Sequence, residues 1–306
     1  MKFTEKNVQN FLQVQLKSEV AQIVTANGGD WSQAFFFEFG GQGKIIRFSQ
    51  TDEDFRKDQF AHQFCSPRLP IPEIEEIGTA FDGYYAISPK ITGKMIDHLS
   101  PVEMQQFFPQ IFDLLDALRS VDISKTVGFG GFNAQGRGSK NSWREFLSGV
   151  NEFDPASRVD WRVNLTSRPD TYSVFQSVYQ EMVKLLEFCP EERYLVHNDL
   201  LHFNVLVDEN KVAGVIDWGC SLYGDFLYDL AMFDLWQFYY PSMRGINFKA
   251  AAKKFFGQKG VSLPHYDQRL KCYQCHLALD AIKYCAYKDN EKDLRLITDR
   301  IKEIIV

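Results

Sequence analysis

The stretch "YLVHNDLLHFNVLVDENKVAGVIDWG", residues 194–219, carries side chains that a pair of apolar strands does not need. Two apolar runs, "NVLV" and "VAGVI", flank the turn-like "DENK" and read as an antiparallel hairpin. Asn204 immediately precedes the first strand and Asp217 immediately follows the second, so antiparallel pairing brings both to the open end. An amide oxygen and a carboxylate converging there suit Mg²⁺, a hard cation that takes one or two carboxylates together with phosphate oxygens and water. Asp199, five residues before Asn204, lies on the loop entering the hairpin. A carboxylate there can accept a proton from a hydroxyl lined up with the phosphate. The order H-x-D-x-x-x-x-N, followed by a strand-ending Asp, is the arrangement of protein-kinase catalytic loops, with Trp218 where those enzymes carry Phe. The competing use of Asp199 and Asn204 is local, because Asx side chains often satisfy loop backbone groups. For His197, a structural hydrogen bond that shapes the loop is a complete account.

The elements that must hold these residues change character along the chain. Val8, Phe11, Leu12 and Leu16 have helical spacing. "QAFFFEFGGQGKIIRFS" reads as two strands joined by a Gly-rich turn at residues 40–43, and residues 52–64 have a helical pattern. "LPIPEI" is an extended connector, since each Pro pushes the residue before it away from helix. "GTAFDGYYAISPKI" reads as a second hairpin, turning at Asp82 and Gly83. Beyond residue 92 helices dominate. Ser100, Pro101 and Glu103 form a capping-box start, and Pro109 is expected to kink or divide the helix that follows. Residues 124–142 read as Gly- and Ser-rich loop. "GFGGFNAQGRG" within them is no phosphate loop, because it lacks G-x-G-x-x-G and follows a helix. Further helices are expected at about 171–188, 226–238, 266–287 and 290–305. Strands first and helices after, with one embedded hairpin, describe an α+β, two-lobed arrangement and not an alternating parallel sheet.

Composition narrows the function classes. The net charge of −6 argues against a nucleic-acid partner and suits a cationic ligand. No run of about 18 apolar residues is present, so no membrane span is expected. The first 20 residues lack the apolar core of a signal peptide, which points to the cytoplasm and to reduced cysteines. "CYQCH", Cys272 to His276, matches C-x-x-C-H, but it lies within a helical pattern and no second C-x-x-C completes a zinc site.

"VHNDLLHFNVL" followed by "VIDWG" resembles the aminoglycoside phosphotransferase family, small-molecule kinases with a protein-kinase-like fold. The likeness extends through "RLPIPEIEEIG", "VGFGGFNAQGRGSKNSWREFL" and "VIDWGCSLYGDFLYDLA" and covers most of the chain in the same order. It implies a small antiparallel-sheet, nucleotide-binding lobe over residues 1–92. Residues 93–306 then form a mainly helical lobe with the catalytic loop, metal site and substrate pocket. It implies Asp199 as catalytic base, Asn204 and Asp217 as Mg²⁺ ligands, and Arg47 on the nucleotide phosphates with Asp58 orienting it. Gly28, Gly29 and Ser32 fall in the loop expected to cover the phosphates, and Ser88, Pro89 and Ile91 on the hinge that meets adenine. Arg47 stands where many relatives use Lys, with Lys44 as a competitor, and Asp58 is shorter than the usual Glu. His202 and Phe203 replace smaller polar residues beside Asp199, where an acceptor would rest. A polyamine acceptor needs acidic walls, for which Asp234 and Asp280 are candidates, with Trp236 as a stacking surface. Asp225 and Asp229 are expected to cap or brace the helix they open.

The expected reaction is transfer of the γ-phosphoryl group of ATP or GTP to a hydroxyl of a small cationic molecule, an aminoglycoside such as hygromycin B. A monomer with no nucleic-acid or membrane partner is expected. The alternatives are a metabolic kinase of the same fold, acting on a sugar, choline-like amine or amino alcohol, and a catalytically inactive kinase-like binding protein.

Overall fold

The computed structural model describes residues 3–26, 31–153 and 161–305. Gly28 and Gly29 therefore lie outside the described residues. The chain divides into two compact units, the first made of Met1–His98, Asn133–Gly136 and His202–Cys220.

The first unit is built on a five-stranded antiparallel sheet of β1 (Ala21–Thr25), β2 (Gln33–Phe39), β3 (Gln42–Ser49), β4 (Glu76–Ala80) and β5 (Gly83–Pro89), in the order β1-β2-β3-β5-β4. Its strands alternate between two faces. Phe35, Phe37, Ile46, Phe48, Tyr85 and Ile87 point to one face and bury Val8 and Leu12 of the helix α1 (Glu5–Leu16). The intervening residues, Phe36, Ile45 and Arg47 among them, line a cleft on the other face. The helix α2 (Glu53–Ala61) buries Phe55 against Ile74 and Ala86.

Two-residue turns join β2 to β3 and β4 to β5. Gly40 and Gly41 both have left-handed φ (60° and 74°), as a turn matched to strand twist requires. The β4–β5 turn falls at Phe81 and Asp82, one residue earlier than expected, with Phe81 at φ 53°. The reason is Gly83: a Cβ there would meet the Ser49 carbonyl oxygen at 2.4 Å, so this glycine serves the strand's close approach and not the turn.

A short strand β6 (Lys94–Met95) pairs with Val205–Asp208, which pairs with Lys211–Val215. This pairing ties residues 202–220 to the first unit, whereas a division at residue 92 groups them with the helices.

The second unit comprises Leu99–Phe132, Arg137–Leu201 and Ser221–Val306. It contains a four-stranded sheet in the order Gly138–Lys140, Phe129–Phe132, Leu222–Gly224, Tyr194–Val196. The reading of residues 124–142 as loop is corrected here: they contain a hairpin. Its glycines disguise it, because Gly128 and Gly130 take left-handed φ. Gly138 lies so near Phe129 N that a Cβ would come within 2.5 Å. Pro109 does not divide its helix, which runs unbroken over Pro101–Arg119. One missing N–H is outweighed by the buried face of Met104, Phe107, Ile111, Phe112, Leu114 and Leu115.

The remaining main helices are Pro169–Leu185, Leu227–Trp236, Phe248–Gln258, Tyr266–Tyr287 and Glu291–Ile305. Phe248–Gln258, capped by Asn247, was not anticipated. Cys272, Cys275 and His276 are buried inside Tyr266–Tyr287. Among the described residues no helix is long and apolar enough to cross a membrane.

Candidate functional site

The hairpin that carries Asn204 and Asp217 is well specified locally. Val205 pairs with Val215 and Asp208 with Lys211, around a turn in which Glu209 and Asn210 both have left-handed φ, 45° and 59°. Beyond the strands, the Ile216 N–H donates to the Asn204 carbonyl at 3.0 Å. Pairing thus continues to the mouth, and Asn204 and Asp217 leave the two strands at the same end. Asn204 is buried, and Asp217 is exposed with φ 60°.

The turn after Asp217 is held by α2. Asp58 accepts the Trp218 N–H with Oδ1 at 2.7 Å and pairs with Arg47 through Oδ2. Lys57 Nζ donates to the Gly219 carbonyl. Burial of Arg47 opposes its charge, but the carboxylates of Asp58, Asp217 and Asp54 outweigh it, so its pKa is raised and it stays a cation. Lys44, the competitor, is on the other face of β3, where its Nζ pairs with Glu75 at 2.5 Å.

Arg47, Asp58 and Asp217 line one cleft with Ser88, Pro89 and Ile91. It encloses about 640 Å³ of empty space, open solvent included. The Lys90 N–H donates to the Gly43 carbonyl at 3.0 Å, so Lys44 and Pro89 form a non-bonded pair and the Pro89 carbonyl turns away from β3. Ser88 is buried opposite Ile45. Ser32 is half-buried just before β2 and is not part of the cleft lining.

Asp199 follows the strand Tyr194–Val196 in the second unit and is half-buried. Its loop is braced by Asp229 from the helix Leu227–Trp236, whose carboxylate accepts the N–H groups of His197 (2.9 Å) and Asn198 (2.8 Å). Burial pushes Asp229 up to about 7, against those two hydrogen bonds and with a contribution from the charge of Asp199. Asp229 therefore braces the loop and not its own helix. Asp225 does serve the helix, accepting the Leu227 N–H at 3.1 Å while buried against Arg269 at 2.7 Å.

One residue escaped the sequence reading. Asp97, just after β6, accepts the N–H groups of His202 (3.0 Å) and Phe203 (2.6 Å).

The acceptor candidates are drawn from both units. His202 is exposed in the first unit, while Asp234, Trp236 and Asp280 belong to the second. Asp234 and Trp236 are the two positions of Leu227–Trp236 that are not fully buried. Asp234 accepts from Gln274 at 2.7 Å, and its burial raises its pKa. Trp236 packs against Phe238 and Tyr239. Asp280 is exposed and pairs with Lys283 at 3.2 Å.

A model of the phosphotransferase enzyme family matches residues 23–264. The hygromycin-B 4-O-kinase of Escherichia coli is 30% identical over 307 residues, which span 99% of this chain and 85% of that protein. A thermostable mutant of aminoglycoside phosphotransferase APH(4)-Ia, solved in ternary complex with AMP-PNP and hygromycin B, superposes with a TM-score of 0.86 at 28% identity, covering 98% of each chain. Spectinomycin phosphotransferase APH(9)-Ia, in complex with ADP and spectinomycin, shares the fold at a TM-score of 0.63 and 15% identity, over 100% of this chain and 97% of that one. An antiparallel-sheet unit, a helical unit and a family match that reaches through both carry one conclusion: the chain belongs to the phosphotransferase enzyme family and is a small-molecule kinase of the aminoglycoside phosphotransferase type.

Proposed function

We propose that this enzyme transfers the γ-phosphoryl group of ATP to a hydroxyl of an aminoglycoside of the hygromycin B kind, in the cytoplasm and as a monomer. The observation that carries this reading is the hairpin mouth: Asn204 and Asp217 leave paired strands together, and Asp217 shares a cleft with a permanently charged Arg47.

The donor set at the mouth fits Mg²⁺. It offers one amide oxygen and one carboxylate, and among the described residues no cluster of three or more acidic, His or Cys side chains forms a complete protein cage. Such a partial set suits a cation that arrives with phosphate and water. Asn204 and Asp217 would hold it, and when bound it offsets charge on the phosphate oxygens. Arg47 binds phosphate with its planar fork, kept in orientation by Asp58. Asp199 orients the acceptor hydroxyl and takes its proton as the new P–O bond forms. Asp234, Trp236 and Asp280 of the second unit, and His202 of the first, are the residues assigned to a polyamine acceptor.

The hinge supports an adenine nucleotide as donor. The Pro89 carbonyl is an acceptor, and Ile91, two residues on, offers an N–H. That order complements adenine, whose amino group donates and whose ring N1 accepts, and opposes guanine.

The test is ADP release with a panel of aminoglycosides, sugars and amino alcohols, with mass spectrometry of the product. Hygromycin B is expected to support turnover, with ATP preferred to GTP. Asp199→Ala is expected to keep nucleotide binding and lose about 10²–10⁴-fold in turnover, the usual contribution of a general base. Wild-type turnover in Asp199→Ala overturns its assignment, and turnover with a sugar but no aminoglycoside overturns the substrate class.

A further inference from the structure

Asp97 takes no part in the chemistry above, yet it is tied to the residue that enters it. The register of β6, with Met95 opposite Leu206 and Lys94 opposite Val207, carries the turn Ile96–His98 back towards the residues that precede Val205. There the two oxygens of Asp97 accept the consecutive N–H groups of His202 and Phe203 at 3.0 and 2.6 Å. Both residues have left-handed φ, 61° and 72°. That conformation is unfavourable for side chains other than glycine, most of all for a bulky one such as Phe, and two in succession persist only where the surroundings over-determine them. A carboxylate accepting two N–H groups is such a restraint. The Phe203 ring, half exposed, meets the His98 ring at 5.2 Å, a weaker second restraint.

Asn204 is the next residue. Its carbonyl accepts the Ile216 N–H at 3.0 Å, and the residue on its other side, Phe203, is the one that Asp97 holds. We propose that Asp97 is a positioning residue for Asn204: by holding residues 202 and 203 left-handed, it sets the direction in which Asn204 presents its amide oxygen at the hairpin mouth. The proposal rests on the reading of Asn204 as a donor to a divalent cation.

The test uses the full chain and Mn²⁺ with the non-hydrolysable nucleotide AMP-PNP, bound Mn²⁺ being read by electron paramagnetic resonance. Wild type is compared with Asn204→Ala, Asp97→Asn, Asp97→Ala and Asp97→Ala combined with Phe203→Gly. Asp97→Ala is expected to weaken Mn²⁺ binding about tenfold, an estimate from the usual penalty for a left-handed non-glycine residue. Asp97→Asn, which keeps one acceptor oxygen, is expected to lose less. Phe203→Gly is expected to recover at least half of the loss, because glycine takes left-handed φ without penalty. That recovery separates positioning from simple loss of a negative charge, which glycine does not restore. In turnover assays the Mg²⁺ concentration for half-maximal rate rises.

Mn²⁺ affinity within twofold of wild type in both Asp97 variants, or no recovery with Phe203→Gly, overturns the proposal. If Asn204→Ala itself leaves Mn²⁺ affinity unchanged, the donor reading falls and the positioning role with it. If Asn204→Ala weakens binding and the Asp97 variants do not, the positioning role falls alone. Should Asp97→Ala fail to fold, Asp97→Asn with and without Phe203→Gly decides the question by the same readout.

Discussion

Asp229 gives both carboxylate oxygens to a loop and Asp58 gives one, and their different surroundings give them different electrostatics. Asp58 faces the Arg47 guanidinium as well as the Trp218 N–H, so its negative charge has an opposite charge beside it. Asp229 has only the N–H groups of His197 and Asn198, inside an apolar helix, and burial pushes it up to about 7. An unfolded aspartate titrates near 4. The folded protein therefore keeps a proton on Asp229 that the unfolded chain has released. The stability this provides is complete below about pH 4 and is lost as pH rises through 7, to a limit of about 4 kcal/mol for a shift of this size. Asp229→Asn carries no titrating proton, so the difference in unfolding free energy between wild type and variant is expected to change steadily from pH 4.5 to 7.5, wild type losing ground. Urea unfolding at four or five pH values measures it. A difference that stays flat across the range means Asp229 is ionised in the folded protein throughout.

At the scale of elements, the hairpin Val205–Asp208 and Lys211–Val215 shows how much a sequence can specify and where it settles for less. Its turn needs positive φ at both central positions, and Glu209 meets that need poorly. Replacing Glu209→Asn together with Asn210→Gly is expected to stabilise the protein by about 1 kcal/mol, the order of penalty a non-glycine residue carries there. The denaturant midpoint reads it, and a lower midpoint refutes the turn assignment. The same hairpin was legible from sequence because its signal is local: two apolar runs, four turn residues, and an Asx at each end. The hairpin within residues 124–142 was not legible, because glycines at 128, 130 and 138 admit close backbone approach and leave no side-chain alternation to read. Asp97 and Asp229 were missed or misassigned for a different reason. Their partners are backbone N–H groups 105 and 32 residues away, and a backbone donor leaves no mark on residue type. Asn204 and Asp217 could be paired on paper, whereas the carboxylates that steady their neighbours could not.

For the whole molecule, the first unit is assembled from residues far apart in the chain. Residues 1–98 supply the five-stranded sheet and α2, but the hairpin and turn of residues 202–220 complete it. Asp58 and Trp218, which hydrogen-bond, are separated by 160 positions, and Lys57 and Gly219 by 162. Closing a loop of that length is entropically unfavourable, so these contacts form late unless the intervening helices fold first. They also matter to the core, because Lys57 and Asp58 are buried at 7% and 4% exposure and each has a backbone partner in the later segment. A fragment of residues 1–98 would deprive Asp58 of the Trp218 N–H, Lys57 of the Gly219 carbonyl and β6 of a strand to pair, a deficit of several kcal/mol against the few that a domain of this size holds in reserve. The fragment is expected to lose its cooperative thermal transition, measured by circular dichroism, and to show collapsed amide dispersion by nuclear magnetic resonance. A chain that joins residues 1–98 to 202–220 through a Gly/Ser linker is expected to regain both. Cooperative melting of residues 1–98 alone, with native-like dispersion, would mean that the sheet stands without the hairpin of residues 202–220.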